Sequence, residues 1–146
     1  MFEKLFMLVK NNAGMAVIDN PAIPAKYHEA VINEASSSII EVLKGQIESG
    51  KLKDLVKYFQ HPEIYKNPMV KSMINKFASR LNRYYNIDPA TALRIANSLM
   101  KPVMLDLIQQ TKNEQNKEFA LSSFLSKING NRADLSGLVQ RLMIAG

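Results

Sequence analysis

The sequence predicts an all-α fold, a single-domain multi-helical bundle of six to seven helices that spans residues 1–146. Apolar residues recur every three or four positions through most of the chain, which is the spacing of helices with one buried face. Asn67-Pro68 and Asp88-Pro89 each place a capping residue before a proline, which is a helix-start signal. No segment has sustained two-residue alternation between turn signals, so no strand is expected.

The first half of the chain predicts one long helix between two short ones. The long helix is expected over residues 25–48, and Ser49-Gly50 is its stop signal. Ile32 and Ile40 lie off its main apolar stripe, so we expect contacts on more than one side. That stripe consists of Val31, Ala35, Ile39, Val42, Leu43 and Ile47. The short helices are predicted in FEKLFMLV, with Phe2, Leu5, Phe6 and Val9, and in KLKDLVKYF, with Leu52, Leu55, Val56 and Phe59.

The second half predicts two further long helices and two short ones. A helix over residues 67–85 has an apolar stripe of Met69, Val70, Met73, Ile74, Phe77, Leu81, Tyr84 and Tyr85. A helix over residues 89–111 has a stripe of Ala92, Ile95, Ala96, Leu99, Val103 and Leu107. Short helices follow in ALSSFLSKI and DLSGLVQRL, on either side of the stop signal Asn129-Gly130-Asn131. Their apolar positions are Leu121, Phe124, Leu125, Ile128, Leu135, Leu138, Val139 and Leu142.

The helix over residues 89–111 carries Pro102 in its middle. A proline there removes one backbone donor, and its ring clashes with the carbonyl group of Ser98, at a cost of about 3 kcal/mol when nothing compensates. We expect a kink between Ser98 and Pro102 that bends one long helix around the core. A break into two helices is the alternative.

Residues 86–111, NIDPATALRIANSLMKPVMLDLIQQT, combine a capped proline at a helix start with small residues and a later proline. In this arrangement, with Asp88-Pro89 first and Pro102 last, the segment resembles the bacterial YidB-like proteins. Residues 31–59 are similar to relatives of that family. The resemblance implies an all-helical fold. It implies no catalytic residue, because the family has no established activity.

Composition and segment lengths exclude several classes of protein. The chain has no cysteine, so it has no disulfide framework, no thiolate nucleophile and no cysteine-based metal site. The apolar run Leu5–Val9 is too short for a signal peptide, and Glu3 cancels the charge of Lys4. No stretch approaches the roughly 18 apolar residues of a transmembrane helix. We therefore expect a soluble cytoplasmic protein with no membrane partner.

No catalytic, cofactor-binding or metal-binding residue is predicted. His28 and His61 lie far apart in the sequence, and neither has the spacing of a metal-binding motif. Ser36-Ser37-Ser38 lacks the glycine elbow, the nearby lysine and the histidine that activate a serine nucleophile. Small residues such as Ser38 are expected to let a neighbouring helix approach closely. These patterns favour a protein that is not an enzyme and needs no cofactor.

The net charge of +6 is concentrated in one segment. Residues 64–87 carry five basic side chains and no acidic one. On a helix, Lys76, Arg80 and Arg83 fall within about 60° of one another. The candidate interaction surface consists of Lys71, Lys76, Arg80 and Arg83. If this surface binds nucleic acid, all four side chains are expected to be exposed and unpaired.

Two functions from different classes agree with these patterns. The first is a non-catalytic helical interaction or structural module that binds an unknown protein partner or self-associates, for which a contiguous exposed apolar patch is expected. The alternative is weak, sequence-nonspecific nucleic-acid binding through the basic helix over residues 67–85. Ion pairs from that helix to acids elsewhere, such as Glu41 or Glu48, would instead indicate an ordinary solvated surface.

Overall fold

The computed structural model describes residues 2–64, 68–113, 115, 119–130 and 135–145. The fold is all-α, as the sequence predicts, and no strand occurs in these residues. A π-helix at Gly14–Ile18 and a 3₁₀ turn at Ala25–Tyr27 lie between the first two α-helices. The seven α-helices of the described ranges are α1 (Glu3–Asn11), α2 (His28–Glu48), α3 (Leu52–Gln60), α4 (Met69–Tyr85), α5 (Pro89–Lys112), α6 (Leu121–Ile128) and α7 (Ser136–Ala145).

Backbone contacts divide the chain into two compact units. The first unit contains Met1–Ile40 and Met69–Leu105, and the second contains Glu41–Pro68 and Asp106–Gly146. Helices α2 and α5 each contribute residues to both units. The prediction that residues 1–146 form a single domain is not tested by this division and stays a prediction.

The core of the first unit is built from the apolar stripes that the sequence predicts. The side chains of α1, α2, α4 and α5 that are fully buried include Val9, Val31, Ala35, Ile39, Met73, Phe77, Leu81, Ala92, Ala96 and Leu99, and Ala13 and Val17 of the π-helix segment join them. One predicted core residue is wrong, because Tyr84 is 62% exposed. In the last turn of α4 the inward position belongs to Tyr85, whose ring meets that of Tyr27 edge-on at 5.6 Å.

The second unit has an aromatic core. Phe59 of α3 and Phe124 of α6 lie 6.5 Å apart between ring centroids, and Phe119 lies 5.9 Å from Phe124. Helix α7 packs against both α3 and α6. Val139 is fully buried there, whereas Leu138, which the sequence places on the apolar side, is 41% exposed. The row of side chains that meets α3 and α6 therefore runs through Val139 and leaves Leu138 at its edge.

The predicted helix ends agree with the local hydrogen bonds. Gly50 has a left-handed φ of 76°, and the Lys51 N–H group donates to the Gln46 carbonyl at 3.0 Å, so α2 ends in a Schellman motif. Gly130, which follows α6, also has a left-handed φ of 70°, and its N–H group donates to the Lys127 carbonyl at 3.0 Å. Helix α4 begins immediately after Pro68. Asn67 and Asn131, which belong to two of the predicted signals, lie outside the described residues.

Helix α5 is continuous from Pro89 to Lys112, with Pro102 inside it. The alternative of two separate helices is therefore wrong. Pro102 is exposed, whereas the neighbouring Val103 is fully buried. The side of the helix that lacks its backbone donor thus faces away from the core. A kink between Ser98 and Pro102 stays a prediction.

The cap of α5 leads to a pH-dependent prediction. The Thr91 N–H group donates to Asp88 Oδ2 at 3.0 Å, and hydrogen bonds from Thr91, first from its side chain and then from its backbone, hold the pKa of Asp88 below its ordinary value of 3.8. A lowered pKa in the folded state means that the charged form stabilises the helix above the unfolded pKa. That stabilisation is lost as the pH falls through the folded pKa. We expect Asp88→Asn to lower the urea midpoint at neutral pH, with the difference vanishing in acid.

The control for this prediction is Asp19→Asn. Asp19 is exposed and lies at the end of the π-helix, so it does not cap the start of an α-helix. Urea midpoints of the two variants and the parent are measured from neutral pH downward. A constant difference between Asp88→Asn and the parent across the whole series would contradict the prediction.

Candidate interaction surfaces

The four cations of the predicted surface all lie on α4 but differ in environment. Lys71, Lys76 and Arg83 are exposed. Arg80 is half-buried, and its Nη1 atom lies 3.7 Å from Glu34 Oε2. The expectation that all four are exposed and unpaired is therefore wrong for Arg80. This acidic partner, Glu34, lies on the neighbouring helix α2.

Arg80 is held by α2 through a buried serine as well as the carboxylate. Its Nη1 group donates to Ser38 Oγ at 3.3 Å, and Ser38 Oγ donates to the Glu34 carbonyl oxygen at 2.8 Å. Ser38 is fully buried, which agrees with its predicted role as a small residue that lets a neighbour approach. The pKa of Tyr85 is raised, first by burial and then by the negative charge of Glu34. This cluster joins α2 to α4.

The outer side of α4 forms a shallow depression of about 420 Å³. We call it the α4 basic face, and its residues are Asn75, Lys76, Ser79, Arg80, Arg83 and Tyr84. Lys76, Arg80 and Tyr84 are four residues apart, so they form one row along the helix. Sequence reasoning missed Tyr84 as a surface residue. The sequence did carry a signal for its exposure, because Tyr84 follows Lys76 and Arg80 at four-residue spacing and so lies on the charged side of the helix.

A second depression, with a volume of about 940 Å³, lies between α1 and α2. We call it the α1–α2 groove. Its α1 wall presents the half-buried rings of Phe2 and Phe6 and the side chain of Met7, which is 49% exposed. The remaining lining residues are Glu3, Lys26, Glu29, Ala30, Asn33, Ser36, Ser37 and Ile40. The sequence did not predict this groove, because the spacing of α1 shows an apolar side without showing how much of it α2 covers.

A third depression, of about 840 Å³, lies beside the π-helix and is lined by both polar and apolar residues. Its lining includes Met15, which is 89% exposed, together with Arg94 and Pro102 of α5. The Arg94 Nη2 group donates to Thr91 Oγ1 at 3.1 Å, so its charge lies beside the capped start of α5. No cluster of ionisable groups accompanies Arg94 in this lining.

The two histidines occupy helix-end and turn positions. His28 Nε2 lies 3.0 Å from the Ile23 carbonyl oxygen at the start of α2. His61 opens a turn that is closed by a hydrogen bond from the Ile64 N–H group to the His61 carbonyl at 3.1 Å. Neither histidine lines the three depressions.

The described residues contain neither a cluster suited to a metal ion nor a helix suited to cross a membrane. Among those residues, no three His, Cys, Asp or Glu side chains lie close enough together to hold a metal ion. None of the helices in those ranges combines the length and the apolar character needed to cross a membrane.

Comparison of the chain with protein-family models, with curated proteins and with solved structures finds no match in any of the three. The resemblance to the YidB-like family therefore stays a prediction from the sequence.

Proposed function

We propose that the chain is a non-catalytic helical interaction module that self-associates through the α1–α2 groove. The observation that carries the proposal is the α1 wall, where Phe2, Phe6 and Met7 leave apolar surface uncovered beside α2. Clusters of exposed apolar side chains bordered by polar residues are typical of protein–protein contacts. In this groove the apolar side chains of the α1 wall meet Ala30 and Ile40 of α2.

A second copy of the chain suits this groove because one wall of the groove and the exposed side chain of Met7 both belong to α1. In a two-fold interface the same patch meets itself, so each apolar ridge must find a recess on the partner. Met7 projects from α1, while Ala30, Ser36 and Ser37 provide small side chains along α2. An unbranched methionine adapts well to such an irregular recess.

The charges at the rim support the same arrangement. Lys26 and Glu29 line the groove three residues apart and have opposite signs. A two-fold axis between them would pair Lys26 of each copy with Glu29 of the other, forming two ion pairs from one patch. Such exposed pairs contribute little affinity, but they set orientation and disfavour wrong contacts.

The experiment is sedimentation equilibrium from about 1 to 500 µM, a range that covers micromolar dissociation constants. We expect a monomer–dimer equilibrium in the parent chain. Met7→Glu should raise the dissociation constant about tenfold or more, because it places a charge in the apolar contact. The matched control is Leu93→Glu, since Leu93 is 44% exposed and lies outside the groove. Circular dichroism should show that both variants keep the parent's helix content.

Charge reversal tests the orientation of the two copies. Lys26→Glu and Glu29→Lys should each weaken the dimer, because each change sets like charges opposite one another. The double exchange should restore the parent's dissociation constant. A chain that stays monomeric throughout, or a dimer that Met7→Glu weakens no more than Leu93→Glu does, would overturn the proposal.

A further inference from the structure

The α4 basic face combines three features that the self-association proposal does not use. It lies in the only stretch of 24 residues that concentrates five cations without an acid. It is concave, with a depression of about 420 Å³. It also presents an aromatic ring, because Tyr84 is 62% exposed at the end of a row that starts at Lys76.

We propose that the α4 basic face binds single-stranded nucleic acid, with Tyr84 as the stacking platform for one base. The proposal is independent of the α1–α2 groove, since none of the residues of one surface lines the other. The basis for this ligand class is that the cations of α4 and the exposed ring of Tyr84 lie side by side on one surface.

The charges suit a phosphate backbone. Lys76 and Arg83 lie seven residues, or about two turns, apart on the same face, and α4 itself contains no acidic side chain. Glu34 partly offsets the charge of Arg80 and, together with Ser38, fixes its guanidinium group. The groups that flank these cations are an amide and a hydroxyl, which are common donors to phosphate and sugar oxygens.

The exposed ring favours a single strand over a duplex. A base can stack on Tyr84 only if it has left its own stack, and a single strand offers unpaired bases at little cost. A duplex offers its phosphates but keeps its bases inside. If charge alone mattered, the two forms would be bound by the same contacts and Tyr84 would be dispensable. With two or three phosphate contacts, the affinity should be low and should weaken only moderately with salt.

The α4 environment also explains why the ring stays outside. Tyr85 takes the inward position and packs edge-on against Tyr27, while Asn86 adopts a left-handed φ of 54° and turns the chain away. Ile87, which is buried, then closes the end of the helix. Tyr84 is therefore held on the outer face by the residues that follow it.

The experiment measures fluorescence anisotropy with labelled random-sequence oligonucleotides of about 12 nucleotides, long enough to span a single-strand site. The probes are a single strand, the corresponding duplex and, as a polyanion without bases, labelled heparin. Each is titrated with the parent chain at about 50 and 200 mM salt. We expect the single strand to bind more tightly than the duplex and than heparin.

The variants separate stacking from charge. Tyr84→Ala should weaken single-strand binding by about five- to a hundredfold, the range for the loss of one base stack, whereas Tyr84→Phe should stay within about twofold of the parent. The double variant Lys76→Gln/Arg83→Gln should make the salt dependence shallower by about 1.4 in log–log slope, which is the loss of two phosphate contacts. The matched control is Lys101→Gln, because Lys101 is exposed on α5 outside this face.

Three outcomes would overturn the proposal. One is the absence of single-strand binding at low salt. Another is equal binding of single strand, duplex or heparin together with no effect of Tyr84→Ala, which would leave only a nonspecific cationic surface. The third is an effect of Lys101→Gln as large as that of the double variant. Loss of dimerisation in Met7→Glu with nucleic-acid binding intact would show that the two surfaces act separately.

Discussion

Replacing Phe77 with alanine is expected to lower the free energy of unfolding by about 3–5 kcal/mol. Phe77 is 0% exposed and is among the largest fully buried side chains of the chain. It lies in the middle of α4, where the predicted apolar stripe is most completely buried. Alanine removes the ring and leaves a cavity that the surrounding core can fill only in part. Urea unfolding followed by circular dichroism measures the difference.

The control for Phe77→Ala lies on the same helix. Tyr84→Ala removes a ring from the exposed face, so it should change the free energy of unfolding by no more than about 0.5 kcal/mol. Equal losses in the two variants would contradict the burial pattern of α4. Phe59→Ala makes the corresponding change in the second unit, where Phe59 is 1% exposed. The single-domain prediction expects Phe77→Ala and Phe59→Ala each to shift one common transition, whereas two separate transitions would contradict it.

The helices and most of their core residues were predictable because they depend on local rules. Apolar spacing decides which side of α2, α4 and α5 is buried, and proline or glycine decides where helices begin and end. The errors fall at positions where the apolar spacing continues along the helix but the neighbouring helices no longer cover it. Tyr84 continues the stripe of α4 and Leu138 that of α7, yet neighbouring positions one residue away meet the adjacent helices. Periodicity alone does not say which turn of a helix is the last to be covered.

The candidate surfaces were less predictable because they depend on how helices meet. The cations of α4 were visible in the sequence, but the pairing of Arg80 with Glu34 joins residues 46 positions apart and requires the packing of α2 on α4. Likewise, the α1–α2 groove depends on how far apart the two helices lie. The sequence supplied the chemistry of these residues, and the tertiary packing decided which of them face solvent together.

Replacing Pro102 with alanine is expected to raise the free energy of unfolding by about 1–3 kcal/mol. α5 remains continuous through this position, so an alanine could supply the N–H group that the Ser98 carbonyl lacks. The ring of Pro102 is exposed, so its removal leaves no cavity in the core. Proline also restricts the unfolded chain, which favours the parent by about 0.4–1 kcal/mol and places the expected gain below the full helix penalty.

The control for Pro102→Ala is Lys101→Ala, an exposed neighbour in the same turn that should stay within about 0.5 kcal/mol of the parent. Urea unfolding of both variants decides between two roles for the proline. A gain specific to Pro102→Ala would mean that the helix tolerates the proline at a net cost, with the core holding α5 together in spite of it. A loss would contradict the prediction and would mean that the core requires a bend at this position, since a straight helix would then no longer carry Leu99 and Val103 into their buried sites.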